Sequence, residues 1–200
     1  MIKTLLATTA ATLCVASSAH ALTPVLTSVT PEGDRYLFTY SLTLSEDEGV
    51  RTGDRLVIYD FAGFDGFAPV SVPEIGTFTE ATTSVGGVDN LQPAPGFDDD
   101  PNILNIGWRW NGPDIFTTGP HASIDFVLAA YSTFGDRTLD GFSSLTVKNN
   151  GDAAGMPLYE QGAAGVPAGA VPEPGAWALM IMGFGGAGAM LRRTRHRALA

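Results

Sequence analysis

The chain has 200 residues and a net charge of −10 at pH 7. Between residues 22 and 171, six basic residues stand against twenty acidic ones, and a surface so acidic repels polyanions, which excludes nucleic acid as a partner. The single cysteine, Cys14, rules out an internal disulfide.

Residues 1–21 have the pattern of a secretory signal peptide. Lys3 precedes an apolar stretch of small and aliphatic residues, and Ala19 and Ala21 then flank a histidine. Small residues at these two places are typical of a signal peptidase cleavage site. We therefore expect export and cleavage after Ala21, which leaves a mature chain without cysteine.

Residues 22–148 carry the hydrophobic alternation of β-strands. In YLFTYSLTL, residues 36–44, every second residue is aromatic or aliphatic, and most residues between them bear a hydroxyl group. Further strand-like stretches, separated by turn-forming Gly, Pro, Asp and Asn, are 55–61, 76–83, 103–110, 123–132 and 142–149. No stretch of this body shows a sustained helical period. The pattern predicts an all-β fold, a single antiparallel β-sandwich of jelly-roll or immunoglobulin-like type.

Alternation within these strands also predicts which side chains face inward. The core residues expected from it are Phe38, Tyr40, Leu42, Ile58, Trp108, Phe126 and Leu128.

Residues 149–171 are rich in Gly, Ala and Pro. Such a composition buries little apolar surface, so it predicts a linker between the body and the C-terminal segment. Residues 156–159 are the exception, because they are suited to docking on the body as a last strand.

The C-terminal segment combines an extended triplet, an apolar helix and a basic tail. Pro172, Glu173 and Pro174 stay non-helical because proline fixes φ and removes backbone donors. Residues 175–191 carry no charge, and a helix of this length spans roughly 25 Å, slightly short of a bilayer core. The basic residues that follow are Arg192, Arg193, Arg195 and Arg197. They predict a transmembrane helix with its arginines on the cytoplasmic side and the body outside.

In this order, the features of residues 172–197 resemble the PEP-CTERM sorting signal in its PEPxxWA form, where Trp177 follows the triplet. The residues that carry the resemblance are Pro172, Glu173, Pro174, Trp177, Arg192 and Arg193. It implies an exported protein of a Gram-negative, exopolysaccharide-making bacterium, anchored in the membrane until exosortase recognises the triplet. The implied destination is the outer surface or extracellular matrix, with exopolysaccharide as a further partner.

No catalytic motif is found in the body. His121 is its one histidine, and no serine lies in a GxSxG elbow, so a Ser-His-Asp triad has no support. One histidine and no mature cysteine cannot complete a zinc or iron site. We therefore expect a protein that is not an enzyme and needs no cofactor.

Calcium is the one metal that the composition allows, because it binds oxygen ligands alone. Asp98, Asp99, Asp100 and Asn102 gather such ligands on one segment. Adjacent residues of an extended chain point in opposite directions, however, and the EF-hand spacing is missing. A solvated acidic turn is the favoured interpretation.

Trp108 and Trp110 have the same parity on one predicted strand and therefore share a face. Paired indoles can form a platform for sugar rings. Leu104 and Ile106 have that parity as well, which favours a core-facing row instead.

Three functions are compatible with these patterns. The favoured one is an exported surface or matrix protein with a non-catalytic structural or adhesive β-domain, because it asks least of particular residues. The alternatives are a carbohydrate-binding module, which needs an exposed aromatic platform, and a glycan-active hydrolase, which needs two facing carboxylates.

Overall fold

The computed structural model describes residues 22–71, 76–84, 91–117, 122–169, and also 181, 182 and 184. Its strands are β1 (Val25–Glu32), β2 (Arg35–Leu44), β3 (Glu48–Val50), β4 (Arg55–Ile58), β5 (Phe64–Phe67), β6 (Thr77–Thr83), β7 (Asn105–Asn111), β8 (Ile115–Phe116), β9 (Ile124–Ser132), β10 (Arg137–Lys148) and β11 (Pro157–Pro167). A short 3₁₀ helix, Gly151–Ala153, connects the last two strands. The prediction of an all-β body is confirmed.

These strands form two antiparallel sheets. The four-stranded sheet has the order β1-β2-β9-β5, and the seven-stranded sheet has the order β6-β7-β4-β10-β3-β8, with β11 paired to β10. β4 and β3 pair with successive parts of one side of β10, so β11 takes its other side. The antiparallel pairing is therefore as predicted.

The first hairpin shows how local sequence sets the register. Glu32 and Arg35 are the last pair between β1 and β2, so the turn has two residues. Gly33 takes φ +70° in this turn. Glycine adopts this left-handed conformation without a steric penalty, and two-residue hairpin turns require it.

One core receives side chains from both sheets. Phe126 of β9 contacts Phe78 of β6 and Trp110 of β7, with ring centroids 5.8 and 6.1 Å apart. Phe67 of β5 meets Trp108 of β7 at 5.4 Å. All of these contacts are edge-to-face, the geometry that aromatic quadrupoles favour.

The predicted core residues are confirmed, because each is at most 1% exposed. They are Phe38, Tyr40, Leu42, Ile58, Trp108, Phe126 and Leu128.

β11 shows that the predicted linker is wrong over most of its length. Residues 157–167 pair with β10, and Ala164 and Val166 are 2% and 0% exposed. The glycines are there because the packing is close: a Cβ on Gly165 would lie 2.7 Å from the Leu26 side chain. A composition that resembles a spacer therefore reflects tight packing, and the domain extends to about residue 169 rather than 148.

The predicted signal peptide and nearly all of the predicted sorting segment lie outside the described residues. Within 175–191, Ile181, Met182 and Phe184 are described, and they are helical and exposed. Among the residues that the structure describes, no helix is long and apolar enough to cross a membrane. The transmembrane helix at 175–191 stays a prediction.

Candidate functional site

Trp108 and Trp110 lie in the core and not on the surface. They are 1% and 0% exposed, and the Trp110 indole N–H donates to the Pro113 carbonyl at 2.8 Å. β7 turns this parity inward, where rings of β5, β6 and β9 cover both indoles. The sugar-platform hypothesis is therefore wrong for this pair, and the core-facing alternative is confirmed for Ile106, though Leu104 is 40% exposed.

The acidic segment 98–102 is organised by its own hydrogen bonds. Asp100 Oδ1 accepts the backbone and side-chain N–H groups of Asn102 at 2.9 and 2.7 Å. Asp99 Oδ1 accepts from the Asn105 amide at 2.8 Å. In ranges 22–71, 76–84, 91–117 and 122–169, no group of three or more His, Cys, Asp or Glu is arranged to hold a metal. Calcium binding at Asp98 to Asn102 stays a prediction, without support from this geometry.

Asp60 fixes this segment through a hydrogen bond to its backbone. The sequence patterns did not predict a role for Asp60. It is 8% exposed, and both of its carboxylate oxygens lie 3.1 Å from the Asp100 backbone N–H. Burial raises the pKa of Asp60 from its ordinary 3.8 to about 6, because a buried carboxylate loses its hydration. Neighbouring carboxylates, Asp140 first, add to the rise.

His121 lies outside the described residues, as do the other two histidines of the chain. A catalytic role for it is therefore neither supported nor opposed by the geometry.

A cavity of about 380 Å³ opens at one end of the seven-stranded sheet. Strand pairing builds it, because β3 pairs with both β8 and β10. Phe116 comes from β8, Arg51 directly follows β3, and Lys148 ends β10. Gly155, in the turn before β11, also lines the cavity. We call this space the β3–β8 cavity.

The Phe116 ring fits in this cavity because the residue that it packs on, Gly49, has no side chain. Its ring lies over Gly49, where a Cβ would overlap the ring. The side chain remains 37% exposed. An aromatic ring is thus fixed in place with part of its surface available to a ligand.

Arg51 lies over that ring. Its guanidinium carbon is 5.8 Å from the Phe116 centroid, and its Nε is 3.6 Å from an oxygen of Asp114. One terminal nitrogen donates to the Gly155 carbonyl at 3.4 Å. These contacts position the guanidinium group at the wall of the cavity.

The turn at Arg51 is fixed by Asp54. The Arg51 backbone N–H donates to the Asp54 carboxylate at 2.8 Å. Burial raises the pKa of Asp54 to about 6, and the hydrogen bond and charge of Arg51 oppose that rise.

Asn149 closes the cavity on the β10 side. Its amide nitrogen donates to the backbone carbonyls of Glu48 and Thr117 at 2.8 and 2.6 Å. These bonds tie the ends of β3, β8 and β10 together, and they leave the amide oxygen as the atom that Asn149 offers to a ligand.

A larger cavity, of about 760 Å³, lies where β1 approaches β10 and β11. Its lining includes Val25 and Leu139, which are 56% and 68% exposed. Arg137 is its one charged residue among those that line it.

Comparison with known families gives a match in the C-terminal segment. The family model of the PEP-CTERM protein-sorting motif matches residues 170–195. This segment is thus similar to a PEP-CTERM sorting motif. Comparisons with curated proteins and with solved structures gave no match. The PEP-CTERM motif implies an exported protein that exosortase processes in a Gram-negative-type bacterium, and it assigns no activity to the β-domain.

Proposed function

We propose that the chain is an exported surface or extracellular-matrix protein whose β-domain is a non-catalytic structural or adhesive module. The observation that carries the proposal is the sorting motif at 170–195, which begins shortly after the last strand, β11, ends at Pro167. The β-domain and the sorting motif are thus consecutive segments, and removal of the motif leaves the β-domain complete.

The tail acts as a stop signal followed by a cleavage site. The apolar segment 175–191 spans the inner membrane, and the arginines after it stop translocation. The triplet Pro172, Glu173 and Pro174 then lies at the outer face of the membrane, where exosortase binds it. Signal peptidase has by then removed residues 1–21, and exopolysaccharide is the partner at the destination.

The body is a β-sandwich that needs no metal, disulfide or cofactor to fold. Support comes from the large core that both sheets share and from a mature chain without cysteine. Its acidic surface favours solubility outside the cell. A stable sandwich with loops and cavities at its ends suits an adhesive role.

Carbohydrate binding is a second candidate for the body. The buried tryptophan pair gives it no support, but the β3–β8 cavity does, because a half-exposed ring and two cations meet there. Glycan hydrolysis stays a prediction.

Replacement of Pro172, Glu173 and Pro174 by alanine tests the sorting role. In a host that makes exosortase, we expect signal peptide removal and folding as in the wild type, while uncleaved precursor accumulates in the inner membrane. Immunoblots of membrane, periplasmic and extracellular fractions measure this distribution.

Two further variants complete that experiment. Deletion of residues 172–200 is expected to release a soluble periplasmic domain, and Pro95→Ala, at an exposed proline of the body, is expected to behave as wild type. Export and processing of the alanine triplet at the wild-type level would show that the triplet is not the recognition element.

A further inference from the structure

We propose that the β3–β8 cavity binds an acidic sugar, with the sugar ring against Phe116 and its carboxylate between Arg51 and Lys148. The inference rests on the adhesive role proposed for the body and names the ligand class of that role.

The charges in this cavity are unusual for this chain. Residues 22–171 contain six basic residues, and two of them line the same small cavity. Within the part of the chain that the structure describes, Lys148 has no ion pair. Two cations that share one cavity repel each other, and an anion placed between them removes that repulsion.

Arg51 keeps binding capacity despite its contact with Asp114. The two side chains are 41% and 50% exposed and their charged atoms are 3.6 Å apart, which makes the pair a loose surface ion pair. A guanidinium group carries five N–H donors in a planar fork, and one of them goes to the Gly155 carbonyl. A ligand carboxylate can therefore bind the remaining face of the fork.

Phe116 indicates that the carboxylate is part of a sugar and is not a small free anion. Gly49 leaves room for the ring in one orientation and Arg51 lies over it, while the residue stays 37% exposed, so part of its apolar surface can pack against a ligand. The C–H face of a pyranose packs on such a ring, while Asn149 offers an amide oxygen to a hydroxyl group. A volume of about 380 Å³ lies at the lower end of the range usual for small-ligand cavities, about 300–1,000 Å³.

The overall charge of the domain limits the ligand further. A dense polyanion is repelled by the acidic surface, whereas a single carboxylate interacts chiefly with Arg51 and Lys148 and faces only the local repulsion of Asp114, the acid paired with Arg51. The ligand class is therefore a uronic acid unit, at the end of a glycan or within a sparsely charged one.

The test uses the full chain in mild detergent, so its result does not depend on whether exosortase processes the protein. Ligand-observed NMR titrations compare D-galacturonic acid with D-galactose, which lacks the carboxylate, and with acetate, which lacks the ring. We expect saturable binding of galacturonic acid and much weaker binding of the other two. Equal binding of galactose or acetate would overturn the proposal.

Variants locate the binding in the cavity. Lys148→Gln is expected to weaken galacturonic acid binding by about tenfold, the usual order for loss of one charged partner, and Lys148→Arg is expected to restore it. Phe116→Leu is expected to weaken binding of galacturonic acid while leaving the weak acetate signal unchanged.

Arg35→Gln is the matched control, because Arg35 lies over the Tyr131 ring and 3.6 Å from Asp65 but does not line the β3–β8 cavity. It changes the net charge as Lys148→Gln does and should bind like the wild type. Equal loss in both variants would show a general charge effect and overturn the site. Circular dichroism melts verify that each variant is folded.

Discussion

Asp60 occupies a conformation and an environment that are both unusual for an acid. Its φ is +49°, in the left-handed region, and its backbone N–H donates to the Asn105 side chain at 2.8 Å. Asp and Asn tolerate this region better than other residues with a side chain. The site therefore selects a short polar side chain, and its burial then sets the pKa.

The raised pKa makes stability depend on pH in a definite direction. Between pH 3.8 and about 6 the folded chain holds the Asp60 proton more tightly than the unfolded chain does. Stability is therefore lost as pH rises through this interval. The acid is charged and buried at neutral pH, which is the less stable state.

Asp60→Asn is predicted to remove this dependence. Asparagine keeps the φ preference and one acceptor oxygen for the Asp100 N–H, but carries no charge. The variant should melt at a higher temperature than the wild type at pH 8 and at a similar temperature at pH 4.5. Thermal unfolding followed by circular dichroism across this range measures it. A difference that is the same at both pH values would contradict the assigned pKa.

β11 illustrates at the level of an element where sequence patterns succeed and where they fail. Alternation predicted stretches that overlap six strands of the body, which are β2, β4, β6, β7, β9 and β10. In β2, for example, large apolar residues face the core and mostly hydroxyl-bearing residues face away from it. It did not predict β1, β3, β5 and β8. Residues 162–165 of β11 are all Gly or Ala, so alternation in hydrophobicity is weak there. Its place is set by long-range pairing with β10 and by close contacts such as Gly162 with the Phe142 ring. Composition alone therefore could not separate a tightly packed strand from a spacer.

Val166→Asp is predicted to unfold the domain, because Val166 is fully buried in the shared core. Loss of its burial costs about 1.5–3 kcal/mol, and an unpaired buried charge adds several more. Ala163→Asp, on the exposed face of the same strand, is the control and should melt within a few degrees of the wild type. Thermal unfolding of both variants, followed by circular dichroism, decides the question. A Val166→Asp variant that folds as the wild type does would contradict the assignment of β11 as a core strand and would support the linker instead.

For the whole molecule, the sequence predicted the fold class, the core and the sorting segment but not the β3–β8 cavity. Phe116 and Lys148 belong to β8 and β10, and Arg51 directly follows β3. These segments are far apart in sequence and adjacent only through the pairing of β3 with β8 and β10. None of them belongs to a motif. The tryptophan pair could be proposed as a sugar platform because its two residues are close in sequence. The residues of the candidate site are close only in space.

The central claim is that a folded β-domain is exported and separated from a sorting tail that the cell removes. The intact mass of the protein recovered from outside the cells tests it at both ends. We predict the mass of a chain that begins at Leu22, after Ala21, and ends at or next to residues 172–174. An extracellular protein whose mass still includes residues 175–200 would contradict the account.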